Sequence, residues 1–554
     1  MFFNEEKYKN MRKAKKGSNQ DTHKQLSIFD DLPLFNYSEQ PDCKSQLVDK
    51  LEKTETHNLA TISKLLVSNE NQKDNDEKRT LSVPDRFESL EIQAKNKLHS
   101  IIKPVNYALE HLDDKYNEMR YAGRGAFLVL RGNSGSGKST FLHTVKLFKL
   151  DVETLSIKET ESIPDFLKSL PNINQKNNIK LWIIVIEERE ALTDFSVEQL
   201  EKDLHSINRF IRSQFGNKTL IVWPCNTDDL EKLLINLAQR IGADSLLGIG
   251  QPSYKFNGVP KEQYADIAIQ TIALLNEGST LADLGVSEER AIELVQEVDT
   301  IGKYLGLLSK ELSKNQKNVD KLLDQEKCKV WIVIIAGNNP EPEVAGLTRG
   351  AYSKADIDCL LKATKANIVE ELKKYSDKVG ILCTVLEAKI IYLPIATARS
   401  IIMNYADDKL KQKMKEFGIN ISKDKVPITV ERLMKSQLAK GFQGEAIERS
   451  SSHSRPSSDS TKSFEKISQV AKDNDQLLNM AIGKCLQENG IINSFKTEAE
   501  FRGKITMRSD LICETNDGKV RLELTWRKWV SSGEISKYVL EKLQKYGQAI
   551  GLLE

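Results

Sequence analysis

No uninterrupted apolar run in this sequence approaches the roughly 20 residues that a helix needs to cross a bilayer. A membrane-spanning helix and a membrane partner are therefore not expected. The opening stretch MFFNEEKYKNMRKAKKG has no long apolar segment behind its charges and does not read as a secretory signal. Cysteine and histidine are scarce, at seven each. Cys43, Cys225, Cys328, Cys359, Cys383, Cys485 and Cys513 are scattered, with no CxxC pair, and the histidines show no ligand spacing. That excludes a disulfide framework and a structural zinc site, and it fits a reducing, cytoplasmic setting. Charge of one sign is also missing. With 81 Lys+Arg against 79 Asp+Glu the net charge is +2, so any attraction to nucleic acid must come from local basic surface.

A chain of 554 residues exceeds one hydrophobic core and implies two to four domains. Residues 1–85 are rich in Lys, Asn, Gln, Asp and Ser and read as a mostly disordered tail. From Phe87 the pattern turns helical. Strand and helix signals then alternate to about Gln251, as in a parallel α/β sheet. Helices follow over 260–310, and an apolar strand runs from Val330 to Ile335. Residues 311–445 carry further helix and strand with no functional signal. A serine-rich linker spans 446–464, with RSSSHSRPSSDSTKS at its heart. Residues 465–554 read as a small α/β unit.

The strongest motif is Gly132-Asn133-Ser134-Gly135-Ser136-Gly137-Lys138-Ser139, which fits GxxxxGK[ST]. An apolar strand (Phe127 to Leu130) precedes it, and a helix opening at Thr140 follows. Glycines let backbone N–H groups converge on phosphate oxygens, and the helix N-terminus adds partial positive charge. Lys138 reaches the β and γ phosphates, and the Ser139 hydroxyl ligates Mg²⁺. A second apolar strand, Leu181 to Ile186, runs into Glu187 and Glu188. Glu187 is expected to hold the metal through water and Glu188 to polarise the attacking water, with the division of labour between them open.

These residues resemble the AAA+ ATPases over 86–310. The resemblance implies ATP and Mg²⁺ as ligands, a homo-oligomer, and a helical lid opening at Pro260 with Tyr264, Ile267, Ala268, Leu274 and Leu275 on its buried face. It also implies Ile249 to Phe256 as the last strand. Asn226, after the strand Leu220 to Pro224, takes the place of the family's sensor 1. Arg240 falls where the family often carries an arginine finger, although a solvated helix-end arginine fits it as well. The sequence departs from the family at Glu187, where Asp is usual.

In the C-terminal unit a helix containing Ile467, Val470, Ala481, Ile482 and Cys485 ends near Glu488. A strand through Asp510 follows, then a turn at Asn516-Asp517-Gly518, a strand through Glu523, and a final helix. This order resembles the PD-(D/E)xK (restriction-endonuclease-like) nucleases. The resemblance implies that Asp510 and Glu523 share Mg²⁺ with Glu488 as an extra helical acid, and that DNA is the substrate. The family's lysine position holds Thr525. Strand periodicity puts Arg527 on the same face as Glu523, which makes it the nearer cation. Lys528 and Lys504 are alternatives. Arg502, Lys504, Arg508, Arg521, Arg527 and Lys528 form a basic set suited to phosphate contacts.

The expected architecture is therefore α/β. A P-loop parallel sheet with a helical lid leads through an α/β middle region to a small C-terminal α/β nuclease-like domain. The expected function is an ATPase that controls a Mg²⁺-dependent DNA nuclease in bacterial defence against phage or foreign DNA. The alternative is a non-nucleolytic AAA+ ATPase of DNA replication or transposition whose last domain only binds DNA or a partner. One short apolar patch, Gln25-Leu26-Ser27-Ile28-Phe29, resembles the peptide with which bacterial proteins bind the replicative sliding clamp. It would make the clamp a partner.

Overall fold

The computed structural model describes residues 81–170, 179–191, 196–248, 251–323, 327–420, 426–447, 458–501 and 503–554. The clamp-like patch Gln25–Phe29, the tail before residue 81 and most of the serine-rich segment lie outside them. The described chain is α/β, with one parallel sheet of five strands and one mixed sheet of seven.

The first sheet contains β1 (Ala126–Arg131), β2 (Val152–Ile157), β3 (Leu181–Ile186), β4 (Thr219–Cys225) and β5 (Ser253–Lys255). Their spatial order is β2-β3-β4-β1-β5, and all neighbours are parallel. β1, β3 and β4 read as unbroken apolar runs because helices cover both faces. One face packs Phe127, Val129, Ile184, Ile221 and Trp223 against the helices Val197–Ile211 and Asp228–Ile241. The other packs Leu128, Leu130, Ile183 and Val222 against Ala108, Leu112, Phe141 and Leu142. The order places β4 between the glycine-loop strand β1 and the acid-bearing strand β3. The C-terminal ends of all three therefore open on one crevice, the usual ligand position in parallel α/β sheets. Of the expected last strand Ile249 to Phe256, Ser253–Lys255 pairs with β1, while Ile249 and Gly250 lie outside the described residues.

The second sheet joins segments far apart in sequence. It contains β6 (Cys328–Ala336), β7 (Thr348–Arg349), β8 (Lys354–Ala355), β9 (Lys389–Tyr392), β10 (Ser494–Phe501), β11 (Met507–Thr515) and β12 (Gly518–Arg527). The order is β10-β11-β12-β6-β9-β8-β7. The Asn516-Asp517-Gly518 turn closes the antiparallel β11–β12 hairpin, with Gly518 at φ 110°. β12 then pairs in parallel with β6 from Lys519↔Cys328 to Arg527↔Ala336. Residues 311–445 and 465–554, expected as successive regions, thus build one sheet. β10 had no counterpart in the sequence reading: Lys496, Glu498 and Glu500 fill one face of this edge strand, and the small Thr497 and Ala499 leave the other only weakly apolar.

Three expectations need correction. Residues 81–85, assigned to the tail, are packed: Val83 is buried, and the Asn276 side chain bonds both the N–H and the carbonyl of Ser82, at 2.7 and 2.8 Å. Residues 458–463, assigned to the linker, begin the helix Ser458–Glu488, which is anchored by buried Phe464 and Ile467. In the lid helix Tyr264–Leu275 the buried stripe is Tyr264, Ala268, Thr271 and Ile272, while Ile267, Leu274 and Leu275 are only half-buried.

The lid helices do not form a separate core. Tyr264, Ile272, Leu284, Leu294, Tyr304, Leu308 and Val319 pack in one continuous cluster with Val330, Ile332 and Ile334 of β6 and with Leu382, Val539, Leu543 and Tyr546. The opposite sheet face packs Trp331, Leu522, Leu524 and Trp526 against the helices Ile395–Tyr405 and Ser458–Glu488. At the seam the helix Ser376–Val385 lies against the turn Ala282–Leu284, and a Cβ on Gly380 would stand 2.1 Å from the Ala282 carbonyl oxygen. Gly380→Ala should therefore cost about 1–3 kcal/mol of overpacking. Urea titrations followed at lid and sheet probes should shift together. A lid transition that moves alone would contradict the shared core.

Candidate functional site

The loop Gly132–Ser139 joins β1 to the helix Lys138–Thr144. Gly137, at φ 93°, supplies the left-handed turn that brings the loop back onto the helix axis. Lys138 is buried at the first helical position. Its ammonium donates to the Gly132 carbonyl (2.7 Å), the Asn133 carbonyl (3.1 Å) and Asn226 Oδ1 (2.8 Å). Burial pulls its pKa down to about 8, opposed by the negative charge of Glu190. The Ser136 hydroxyl is buried in the loop with no partner among the described residues. A cavity of about 240 Å³ opens beside the loop. Lys138, Ser139, Thr140, Glu190 and Asn226 line its polar end, and Phe87, Ile101, Phe256 and Ile301 its apolar end.

Two further segments close over this loop. Arg86 donates to the Ser134 hydroxyl at 3.1 Å, and Asn133 donates to Asp299 at 3.2 Å. The helix Ile301–Leu322 begins directly on the loop, with the Gly302 N–H donating to the Gly135 carbonyl at 2.9 Å. An anionic ligand in the cavity meets one buried lysine, an arginine and helix N-termini, so a polyphosphate fits the donors present.

The acids after β3 diverge. Glu187 bonds the His143 imidazole, whose ring stacks on Phe87 with centroids 5.5 Å apart. Burial raises the Glu187 carboxyl, but the hydrogen bond and charge of His143 outweigh it and hold the group low. Glu188 is exposed, at φ 59°, on the outside of the turn. Arg189 is buried and donates to the carbonyls of Lys158, Glu159 and Glu161. This plug turns Glu190 into the cavity, where burial raises its carboxyl. Neither Glu187 nor Glu188 lines the cavity in this structure. Reading four residues beyond the strand end would have found Glu190, but only the Arg189 anchor fixes which acid faces inward. Arg240 sits exposed in the last turn of Asp228–Ile241, paired with Glu201 at 3.1 Å and away from the cavity.

The second cluster lies between β11, β12 and the helix Ser532–Ile550. Glu523 is fully buried, ion-paired with Lys542 and bonded by the Tyr546 hydroxyl at 2.8 Å. Asp510 accepts the Leu524 N–H at 2.6 Å. Burial, and then the like charge of Glu523, push its pKa up to about 7. The structure thus brings Asp510 and Glu523 together and adds Lys542, a cation from the following helix that strand periodicity could not reveal. Tyr538 and Lys542 are neighbours at i,i+4 on that helix.

Other expected members stay apart. Glu488 is exposed and ion-paired with Lys484 at 3.6 Å. The helical acid whose charge reaches Asp510 is Asp475, 13 residues earlier on a helix interrupted at Asn474, or roughly 20 Å along its axis. Lys504 lies against Gly551 at the far end of the last helix. Thr525 is buried with an unpartnered hydroxyl, and Arg527 is exposed. Lys528 pairs with Glu465, and Arg508 with Glu500. Arg521, expected among the phosphate contacts, is fully buried and donates to Ser509 Oγ and to the carbonyls of Ala499 and Glu500. Arg502 lies outside the described residues.

No three His, Cys, Asp or Glu side chains converge as a metal-ligand set among the described residues. The Asp510 and Glu523 carboxyls lie beside Lys542 and offer the oxygen ligands that a hard cation takes. No helix among the described residues is long and apolar enough to cross a membrane. No family profile and no curated protein matches the chain.

Two outcomes follow from the buried charges. Lys542→Met leaves Glu523 buried and unpaired and should cost about 3–5 kcal/mol in urea denaturation, with partial recovery in Glu523→Gln/Lys542→Met. Asp510 has a raised folded pKa, so its contribution is complete below about pH 4 and is lost as pH rises through 7. In chelator, Asp510→Asn should flatten a decline in stability between those values. An unchanged pH slope in the variant would contradict the burial of this carboxyl.

Proposed function

We propose that the chain binds and hydrolyses ATP with Mg²⁺ at the Gly132–Ser139 loop, and that this nucleotide controls Mg²⁺-dependent DNA cleavage at the Asp510–Glu523 pair. The observation that carries the first part is the buried Lys138 ammonium held with Asn226 and Glu190 at one loop cavity. Lys138 contacts the β and γ phosphates, and Ser139 holds the metal. Asn226 positions the attacking water at the end of the strand between β1 and β3. Glu190, a raised carboxyl beside Lys138, takes the general-base role first given to Glu188. Glu187 stays with His143 as a support or an outer metal contact. Arg240, exposed on the surface, acts on a neighbouring copy in a homo-oligomer.

At the second site Asp510 and Glu523 would hold a divalent ion, which when bound would supply hydroxide and charge neutralisation. Lys542 takes the cationic role that the sequence leaves open at Thr525. Control of one site by the other is supported by the core that joins the lid helices to the second sheet. An ATP-controlled DNA nuclease suits bacterial defence against phage or foreign DNA. The second reading is a non-nucleolytic AAA+ ATPase of DNA replication or transposition. It is favoured by the pairing of Glu523 with Lys542 and Tyr546, which leaves its carboxylate satisfied without metal.

Lys138→Ala should abolish nucleotide binding, while Glu190→Gln should keep binding and slow hydrolysis about 100-fold or more. Glu188→Gln should do little. The reverse pattern would return the base to Glu188. Bound phosphate favours the protonated lysine, so ATP affinity measured by calorimetry should fall above about pH 8, by up to about tenfold per unit. Metal-dependent DNA cleavage should disappear in Asp510→Ala and Lys542→Ala. Absence of cleavage under every ATP and metal condition, with DNA binding retained, would select the non-nucleolytic reading.

A further inference from the structure

Beyond the acid pair, the same face of β12 leads into a second cavity of about 270 Å³. Thr525, Arg527, Trp529 and Tyr538 lie along it. Thr525 is two residues from Glu523 on the strand, about 7 Å, which is close to the length of one nucleotide of a phosphodiester chain. Tyr538 forms the wall between the two sites, with the Lys542 ammonium 5.4 Å from its ring centroid.

Three features of this cavity call for a ligand. Thr525 is only 7% exposed, yet its hydroxyl has no hydrogen-bond partner among the described residues. An orphaned buried hydroxyl is costly unless a ligand or water completes it. Trp529 is 58% exposed, whereas Trp182, Trp223, Trp331 and Trp526 are buried. Arg527 is exposed, and its guanidinium makes no ion pair or hydrogen bond among the described residues. The acids nearby are already engaged. Glu534 closes the capping box with Ser531, and Glu541 lies 3.8 Å from Lys537.

We infer that this cavity receives one unpaired nucleotide of a nucleic-acid strand, its base stacked on Trp529 and bonded by Thr525, its phosphate held by Arg527. The geometry suits a single strand. A concave site of this volume admits one base that has left its stack, and a paired duplex cannot enter it. An exposed indole beside a guanidinium is the stacking and clamping pair that single strands use. The inference rests on the nuclease reading only in placing the neighbouring phosphate at Asp510 and Glu523. That phosphate would be the one cut, so the substrate is a strand end, flap or open loop.

The test separates the two ideas by measuring binding in chelator, where no cleavage occurs. A labelled oligothymidylate, its ribonucleotide counterpart and a blunt duplex are titrated by anisotropy, and intrinsic tryptophan fluorescence is followed with unlabelled strands. Saturable quenching by a single strand is expected, with DNA and RNA arms showing whether the sugar matters. Trp529→Ala should weaken single-strand binding about tenfold or more. Thr525→Val should weaken it several-fold without loss of stability, since its hydroxyl bonds nothing in the protein. Preference for the blunt duplex, or unchanged single-strand affinity in Trp529→Ala, would overturn the inference. Single-strand binding lost in Trp529→Ala, with no cleavage in Mg²⁺ or Mn²⁺, would keep the cavity and sink the nuclease reading. Cleavage lost in Asp510→Ala, with Trp529→Ala binding normally, would do the opposite.

Discussion

The parallel pairing of β12 with β6 is the constraint on which the rest of this structure depends. It joins a strand near residue 330 to one near residue 520 over nine consecutive pairs. Once β12 lies beside β6, the final helix must cover one face of β6 and the long helix Ser458–Glu488 the other. The lid helices then have only one apolar surface to join, the β6 face shared with Val539, Leu543 and Tyr546. A helix–turn lid that would be a marginal core alone becomes part of a large one. The helix Ile301–Leu322, about 33 Å long, starts on the glycine loop and ends six residues before the first residue of β6. Along its length it packs in the core shared with β6 through Tyr304, Leu308 and Val319.

Both sites use buried charge, and they neutralise it differently. Lys138 is held by loop carbonyls, an amide oxygen and a nearby carboxyl, all weaker partners than a phosphate. Burial lowers its pKa to about 8, against the opposing charge of Glu190. Asp510 carries the opposite imbalance, a carboxylate close to another with only one lysine between them. In a low-dielectric interior an uncompensated charge is expensive, and the expense is relieved by a ligand of opposite sign. A third buried charge pair, Arg349 and Asp283 at 2.5 Å, lies under the helices that follow the first sheet.

Sequence periodicity made the glycine loop, both apolar strands around it, the β11–β12 hairpin and the last helix legible. Each depends on local rules: a motif between strand and helix, a continuous apolar run, an Asn-Asp-Gly turn. Glu190 was not legible, because its direction depends on Arg189 reaching carbonyls about thirty residues away. Lys542 was missed for a related reason. It faces Glu523 only because the final helix crosses β12 at that height, and no spacing within either element encodes the crossing.

By itself, then, the sequence determined the α/β class, the strand–loop–helix turn around Lys138 and the β11–β12 hairpin that carries Asp510 and Glu523, since short-range geometry fixes all three. Tertiary structure alone decided that two regions separated by a serine-rich stretch share one sheet, that lid and sheet share one core, and which acid and which lysine enter each site. Those outcomes turn on long-range strand pairing and on the burial of whole faces. An apolar strand such as Cys328–Ala336 states that it will be buried, but not which partner will bury it.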